Sequence, residues 1–242
     1  MYLHASDLRR FYDKPLGETV SKILNNTLRN MCPSARGDRL LGLGYVMPVI
    51  QPFCSEAERS IVLMPSHMGA IQWPSRTASI TALVHEEALP IPDASIDRII
   101  ALHYIDRAEC PTRTMREIWR VLVPGGKLLT VVPNTLGVWA YFGNTPFSAA
   151  RSYTFTQIRH LLRQTMFLPG KLEGTLHLPP SERDCLLCYQ KRLERMGKTF
   201  WPCLCGAITV EAIKQTYQGA VIDNRRRSFA ELRQFMPVTS HT

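Results

Sequence analysis

Two glycines two residues apart, Gly42 and Gly44, lie in the apolar run LLGLGYVMPVI at residues 40–50. That spacing lets a backbone come close to a ligand. Pro48 suits the first turn of a following helix, whose free amides could receive an anion or a carboxylate. The run is not the GxGxxG dinucleotide pattern, because Met47 or Pro48 stands where the last glycine would fall, and this argues against a nicotinamide enzyme. A second group with chemical potential is the thiols Cys185, Cys188, Cys203 and Cys205, which in principle could hold zinc. The second pair is a CxC, a poorer chelate than CxxC. Residues 181–196 read as a helix that places the first pair on one buried face, and Cys203 and Cys205 on an extended strand would share a face too. Packed thiols are therefore expected and no metal ligand is assigned. A third group is basic: Lys191, Arg192, Arg195 and Lys198, then Arg225, Arg226 and Arg227. Such a face favours an acidic partner or nucleic acid. No aromatic residues interleave with the arginines to stack bases, so a solvated helix face and a polar tail are expected first.

Elements that could position these groups follow from the periodicity. Val20, Ile23, Leu24, Leu28 and Met31 recur at helical spacing, after a shorter helix broken at Pro15 and before a stop at Pro33. Short apolar runs at 39–45, 60–64, 80–84, 97–104 and 127–132 then read as five strands. A helix over 112–122, with Met115, Ile118, Trp119 and Leu122 on one face, ends at the VPGG of 123–126. Strands alternating with helices imply right-handed crossovers and a parallel sheet, so the expected fold class is α/β, doubly wound and mainly parallel, with helices on both faces. Further on, Thr154 with Gln157 makes a capping pair that opens a helix over 154–166. Residues 168–180 read as a Pro- and Gly-punctuated insertion. The run ITVEAI at 208–213 reads as one antiparallel edge strand, and a polar tail follows from 221, with a short helix near 229–235. The expected organisation is an N-terminal helical lid over 1–36, a main domain over 37–220 with helical insertions at about 136–197, and a basic tail over 221–242.

Composition supports a packed domain. The chain has 242 residues, 45% hydrophobic and 20% charged, far from the disordered corner. Its net charge of +9 is lopsided, with 15 basic and 13 acidic residues in 1–150 against 14 and 7 in 151–242. Seven cysteines, an odd number behind a charged N-terminus, suit reduced thiols and a cytoplasmic location. The longest apolar run is about half the length a membrane span needs, so none is expected.

Three stretches together carry a resemblance: EALPIPDASID at 87–97, REIWRVLVPGG at 116–126, and the strand KLLTVVPN that follows. They resemble the class I S-adenosylmethionine-dependent methyltransferases, most closely a bacterial branch showing "ALPF-D-S-FD" followed by "E-x-x-RVLKPGG". The motifs span about residues 37–134, and the late edge strand fits the family as well. What the resemblance implies is a Rossmann-like methyltransferase fold that binds S-adenosylmethionine and releases S-adenosylhomocysteine. Residue by residue, the glycine loop maps to Gly42, Leu43, Gly44 and Tyr45, and the ribose position at the end of the second strand to Met64 and Pro65. The adenine position maps to His85 with Glu86, and the loop after the fourth strand opens with His103 and Tyr104. The sequence departs from the family pattern at four points. Gly42 stands for the first-strand Asp, Val46 for the last loop glycine, Met64 for the ribose acid and His85 for the adenine Asp, so the cofactor motif is degenerate. Glu86 and Glu87 lie close enough to the adenine position to substitute. Tyr12, in the opening helix, is a candidate to close over the cofactor, and Trp139, Tyr141 and Phe142 to wall a substrate pocket.

Two functions follow from this. The first is methyl transfer to an unidentified acceptor by in-line displacement, with His103 as the candidate catalytic base if the acceptor must lose a proton. The alternative is a catalytically inactive methyltransferase-like protein that binds or regulates a partner through its basic C-terminal face, prompted by the missing acidic anchors. Direct binding of nucleic acid through Arg225, Arg226 and Arg227 is a third and weaker reading.

Overall fold

A computed structural model describes residues 3–74, 79–141, 145–181 and 189–216. Its centre is a seven-stranded sheet. In chain order the elements are α1 (Ala5–Tyr12), α2 (Pro15–Met31), β1 (Arg39–Gly44), α3 (Met47–Cys54), β2 (Arg59–Pro65), β3 (Thr81–Val84) and β4 (Ile96–Leu102). They continue with α4 (Pro111–Val121), β5 (Leu122–Pro133), α5 (Phe155–Gln164), β6 (Phe167–Thr175), α6 (Gln190–Phe200) and β7 (Ala207–Lys214). The strands run in the order β3-β2-β1-β4-β5-β7-β6. Pairing is parallel from β3 through β5, and β7 is antiparallel to both its neighbours.

The mainly parallel, doubly wound sheet is as expected, with one antiparallel strand at its late end. That strand is covered on its outer side, because residues 167–175 form β6 where an insertion was expected. Pro169 and Gly170 signalled a break, yet a register shift between Pro169 and Leu172 absorbs them, and a proline is tolerated on an edge strand. The VPGG segment likewise belongs to β5: Ile96 pairs with Leu122 and Arg98 with Lys127, so residues 123–126 bulge out of the ladder. The last helix runs from Gln190 to Phe200, and the part of the expected helix at 182–188 lies outside the described residues, as do Phe142, Cys185, Cys188 and the tail with Arg225, Arg226 and Arg227.

Two apolar layers flank the sheet. On one face Leu40, Val62 and Met64 pack under α1, α2 and α3, and on the other Leu41, Leu43 and Leu63 pack under α4 and α5. The period-two alternation of β1 therefore sends Leu41 and Leu43 to one layer and Leu40 with Gly42 to the other. At the amino ends of the central strands, Arg39 donates to both carboxylate oxygens of Asp97 (2.7 and 3.0 Å), and Arg98 donates to Asp38 (2.6 Å). No helix among the described residues is long and apolar enough to cross a membrane.

Arg120 explains the motif that is most specific in the sequence. Its guanidinium donates to the carbonyls of Leu89 and Ile91 and to the carboxylates of Asp93 and Glu117, while Glu117 accepts from the Leu89 amide. The EALPIPDASID loop is thus clamped onto α4. This motif is a structural staple.

Candidate active site

Strand order reverses between β1 and β4, so the loops leaving their carboxyl ends bound the crevice where an open α/β sheet takes its ligand. In the β1 loop both glycines serve packing. A Cβ on Gly42 would lie 2.6 Å from Ile50 Cδ1 and Val46 Cγ2, so its absence lets α3 settle on the sheet. Gly44 has φ +79°, and a Cβ there would lie 2.4 Å from the Leu102 carbonyl. The same carbonyl accepts from the Tyr45 amide at 2.9 Å, sealing the β1 loop against β4.

Other expected positions are taken up by packing or by local hydrogen bonds. Leu43, Met64 and Pro65 are buried, with Leu43 and Met64 in the two apolar layers. His85 is exposed in a turn where its Nδ1 accepts from the Glu87 amide, and Glu87 pairs with Arg113 at 3.3 Å. Glu86 is buried and accepts from the Glu109 amide at 2.8 Å, and the buried Tyr104 hydroxyl reaches its carbonyl. Trp139 is fully buried and donates to the Leu178 carbonyl at 2.7 Å, so it is core; Tyr141 is exposed. Cys203 is exposed while Cys205 is buried under Asn134, because a 3-10 turn at Pro202–Leu204 replaces the expected strand; they do not share a face.

The structure brings Tyr12, Tyr45 and His103 together. Tyr12, the last residue of α1, donates its hydroxyl to His103 Nε2, or accepts from it, at 2.8 Å. Its ring stacks on Tyr45 at 5.6 Å, and Phe147 packs on the other side of His103 at 5.1 Å. His103 is 1% exposed and holds φ +53°, a left-handed conformation that a side chain with a Cβ adopts only under constraint. Three residues on, Asp106 places a carboxylate oxygen 3.6 Å from His103 Nδ1, beyond a good hydrogen bond but well within electrostatic reach. Asp106 is 3% exposed, and neither of its carboxylate oxygens has a hydrogen-bond partner among the described residues. Burial holds the His103 imidazole below its usual pKa in spite of the nearby carboxylate, and burial drives the Tyr12 hydroxyl well above its own. The Tyr45 hydroxyl is pushed up to about 12 by the same cause.

Beside this network lies a hollow of about 400 Å³, between α1 and α2 on one side and the loops after β1 and β2 on the other. Its size is that of a small-molecule site. Tyr12 and Tyr45 line it together with Asp13, Glu18, Asn25, Ile71, Gln72 and Trp73. Asn25 donates to the Pro48 carbonyl, and its buried side-chain oxygen has no partner among the described residues. Sequence reasoning missed this lining because it looked for an acid at a strand end, whereas the acids at hand, Asp13 and Glu18, come from the N-terminal helices. Asp106 was also missed; its one legible signal is an acid three residues after a strand-end histidine.

These observations set the chain beside known proteins. The family described as "Methyltransferase domain" matches residues 70–130. No curated protein sequence matches. Among solved structures, a SAM-dependent methyltransferase from Thermotoga maritima is 17% identical over 86% of this chain and 94% of its own, with TM-score 0.58. A complex of the Haloferax volcanii Trm112 methyltransferase activator with a methyltransferase aligns at 16% identity over 86% and 91%, TM-score 0.57. The [4+2]-cyclase SpnF aligns at 18% over 79% and 80%, TM-score 0.54. At these identities the likeness is one of fold. The sheet order, the helices on both faces and the matched central segment make this chain a protein of the class I S-adenosylmethionine-dependent methyltransferase fold.

Proposed function

We propose that the chain transfers a methyl group from S-adenosylmethionine to a small acceptor, using the hollow between α1, α2 and the loops after β1 and β2. The observation that carries this reading is the junction of that hollow with the buried Tyr12, His103 and Asp106 at the point of strand reversal. The lining fits the cofactor's chemistry. Ile71 and Trp73 offer an apolar wall to an adenine, Asp13 and Glu18 offer carboxylates to a ribose diol, and the Tyr12 and Tyr45 rings offer π faces to a sulfonium. The acids from the lid helices thereby replace those missing at Met64 and His85. Bound there, S-adenosylmethionine supplies an electrophilic methyl group. The residues of the chain exclude water, orient the acceptor and hold the proton it releases, with His103 as base. The N-terminal helices act as a lid contributing wall residues.

Isothermal titration with S-adenosylmethionine and S-adenosylhomocysteine tests the reading: saturable heat for both supports it, and no heat at millimolar ligand with the fold intact removes it. A second reading, a methyltransferase-like binding protein without catalysis, is favoured by the closed packing of Gly42 and Gly44, and the cyclase neighbour illustrates that the fold alone does not dictate methyl transfer. In that case an acidic partner, or less readily nucleic acid, would meet the face where Arg195, Lys198 and Lys22 line a second hollow of about 700 Å³. A stoichiometric partner retained through purification from lysate at moderate salt, without cofactor binding, would support it.

A further inference from the structure

Among the described residues, the loop that follows β4 holds a buried carboxylate with neither oxygen partnered, beside a histidine under backbone constraint. His103 occupies a left-handed backbone position there, and the Asp106 carboxylate is buried with both oxygens unpartnered among the described residues. Isolated buried carboxylates are costly, and a protein keeps one where something else compensates for it. The compensation at hand is His103, whose Nδ1 is 3.6 Å away. Its other ring nitrogen does not face solvent or a carbonyl but the hydroxyl of Tyr12, at 2.8 Å. Of these three side chains only Tyr12 lines the 400 Å³ hollow, so it is the one link between that hollow and the buried pair.

We propose that Tyr12, His103 and Asp106 form a proton relay leading out of the hollow, and that the acceptor is a compound bearing a hydroxyl, of phenol type, which must lose its proton to become nucleophilic. The inference rests on the methyl-transfer reading above. In the step, the acceptor O–H proton passes to the Tyr12 oxygen as the Tyr12 proton passes to His103 Nε2. The acceptor oxygen forms a bond to the methyl carbon, and the S–C bond breaks with its electron pair left on sulfur. The sulfonium becomes a neutral thioether, and the imidazolium, held against the Asp106 carboxylate, later loses its proton to water. An amine acceptor that is already neutral would need none of this machinery. Tyr12 is the catalytic residue, since it meets the acceptor; His103 receives the proton through it, and Asp106 is a positioning residue that fixes the tautomer with Nδ1 protonated. The titratable groups facing His103 are Tyr12 with Tyr45 behind it, Asp106 and Arg107 from its own loop, and Tyr153 beyond Asp106. The Tyr45 ring, stacked on Tyr12 in the lining of the hollow, suits a ring-bearing acceptor.

Two measurements test the relay separately from the methyl-transfer reading. First, release of S-adenosylhomocysteine is followed with p-cresol and with p-toluidine as probes of nearly equal shape, from pH 6 to 9. Wild type should methylate p-cresol at a rate nearly independent of pH above about 7, because the buried His103 is already free of its proton there. Tyr12→Phe and Asp106→Asn should lower the p-cresol rate by roughly 100-fold and about tenfold to 100-fold more than they lower the p-toluidine rate, and what remains should rise with pH as p-cresol itself ionises. Equal losses on both probes, or no loss on p-cresol, would overturn the relay. Second, the ring ¹⁵N shifts of His103, read without any cofactor, should show Nδ1 protonated and Nε2 accepting, with the tautomers mixed in Asp106→Asn. A protonated Nε2 in the wild type overturns the proposal even if the cofactor binds, whereas absence of cofactor binding removes only the methyl-transfer reading.

Discussion

The loops that leave β1 and β4 are neighbours in space and opposites in character. In the β1 loop every unusual feature is consumed by packing: Gly42 admits α3, and Gly44 turns the chain so that Tyr45 can bond the Leu102 carbonyl. In the β4 loop the unusual features are left over. His103 holds a positive φ and Asp106 keeps two buried oxygens without partners among the described residues. Rigid, satisfied backbone on one strand supports a strained and under-satisfied group on the next. Stability and chemistry are thus divided between adjacent strand ends, and the residues that cost stability are the ones to suspect of function.

Substitutions can break that contrast. The largest effect is expected at Gly44→Ala, where positive φ and a 2.4 Å approach to the Leu102 carbonyl combine; urea unfolding should show a loss of about 3 kcal/mol or more. A loss under about 1 kcal/mol would mean that the β1 loop is softer than its packing. Asp106→Asn should move the other way. Removing an unpartnered buried charge is expected to raise stability by about 1–3 kcal/mol in the same assay, and a destabilised variant would show the carboxylate to be a structural anchor after all. Next in size, Asp13→Asn with Glu18→Gln should weaken S-adenosylmethionine about tenfold by titration calorimetry, or about 1.4 kcal/mol, with the melting temperature unchanged because both side chains are exposed. Unaltered affinity would move the ribose elsewhere.

The smallest effect is on pH dependence. The buried His103 binds its proton less readily in the folded chain than in the unfolded one, so the unfolded state takes up more protons as the solution is acidified. The contribution is fully present above the unfolded imidazole value of about 6.5 and is lost as pH falls below it. His103→Gln should flatten the decline in stability below that point, and an identical slope would show that the imidazole takes up its proton as readily in the folded chain as in the unfolded one.

Much of the fold was legible in the sequence because its signals are local. The alternating apolar runs gave β1 to β5, and the Thr154 and Gln157 pair opens α5 with both capping bonds formed. The family motif was legible for the same reason, since Arg120 and Glu117 staple a loop only about thirty residues away. β6 was not, because Pro169 and Gly170 read as breakers and only the pairing with the distant β7 shows that a bulge absorbs them. The site was half legible. Of the residues the sequence singles out, Tyr12 and Tyr45 line the hollow and His103 adjoins it through Tyr12, whereas Asp13 and Glu18 in the lining and Asp106 beside His103 carry no motif that marks them. Spacing along a chain cannot reveal which helix folds back over a strand end, and α1 with α2 does so here from outside the motif-bearing region.

One further consequence comes from the opposite pole of the sheet. The crossed guanidinium pairs Arg39 with Asp97 and Arg98 with Asp38 fasten β1 to β4 at their starts. The same two strands are tied again at their finish, where Gly44 pairs with Leu102 and the Tyr45 amide holds the Leu102 carbonyl. The left-handed His103 thus stands at the end of a strand pair clamped top and bottom, a fixed footing from which its ring cannot drift.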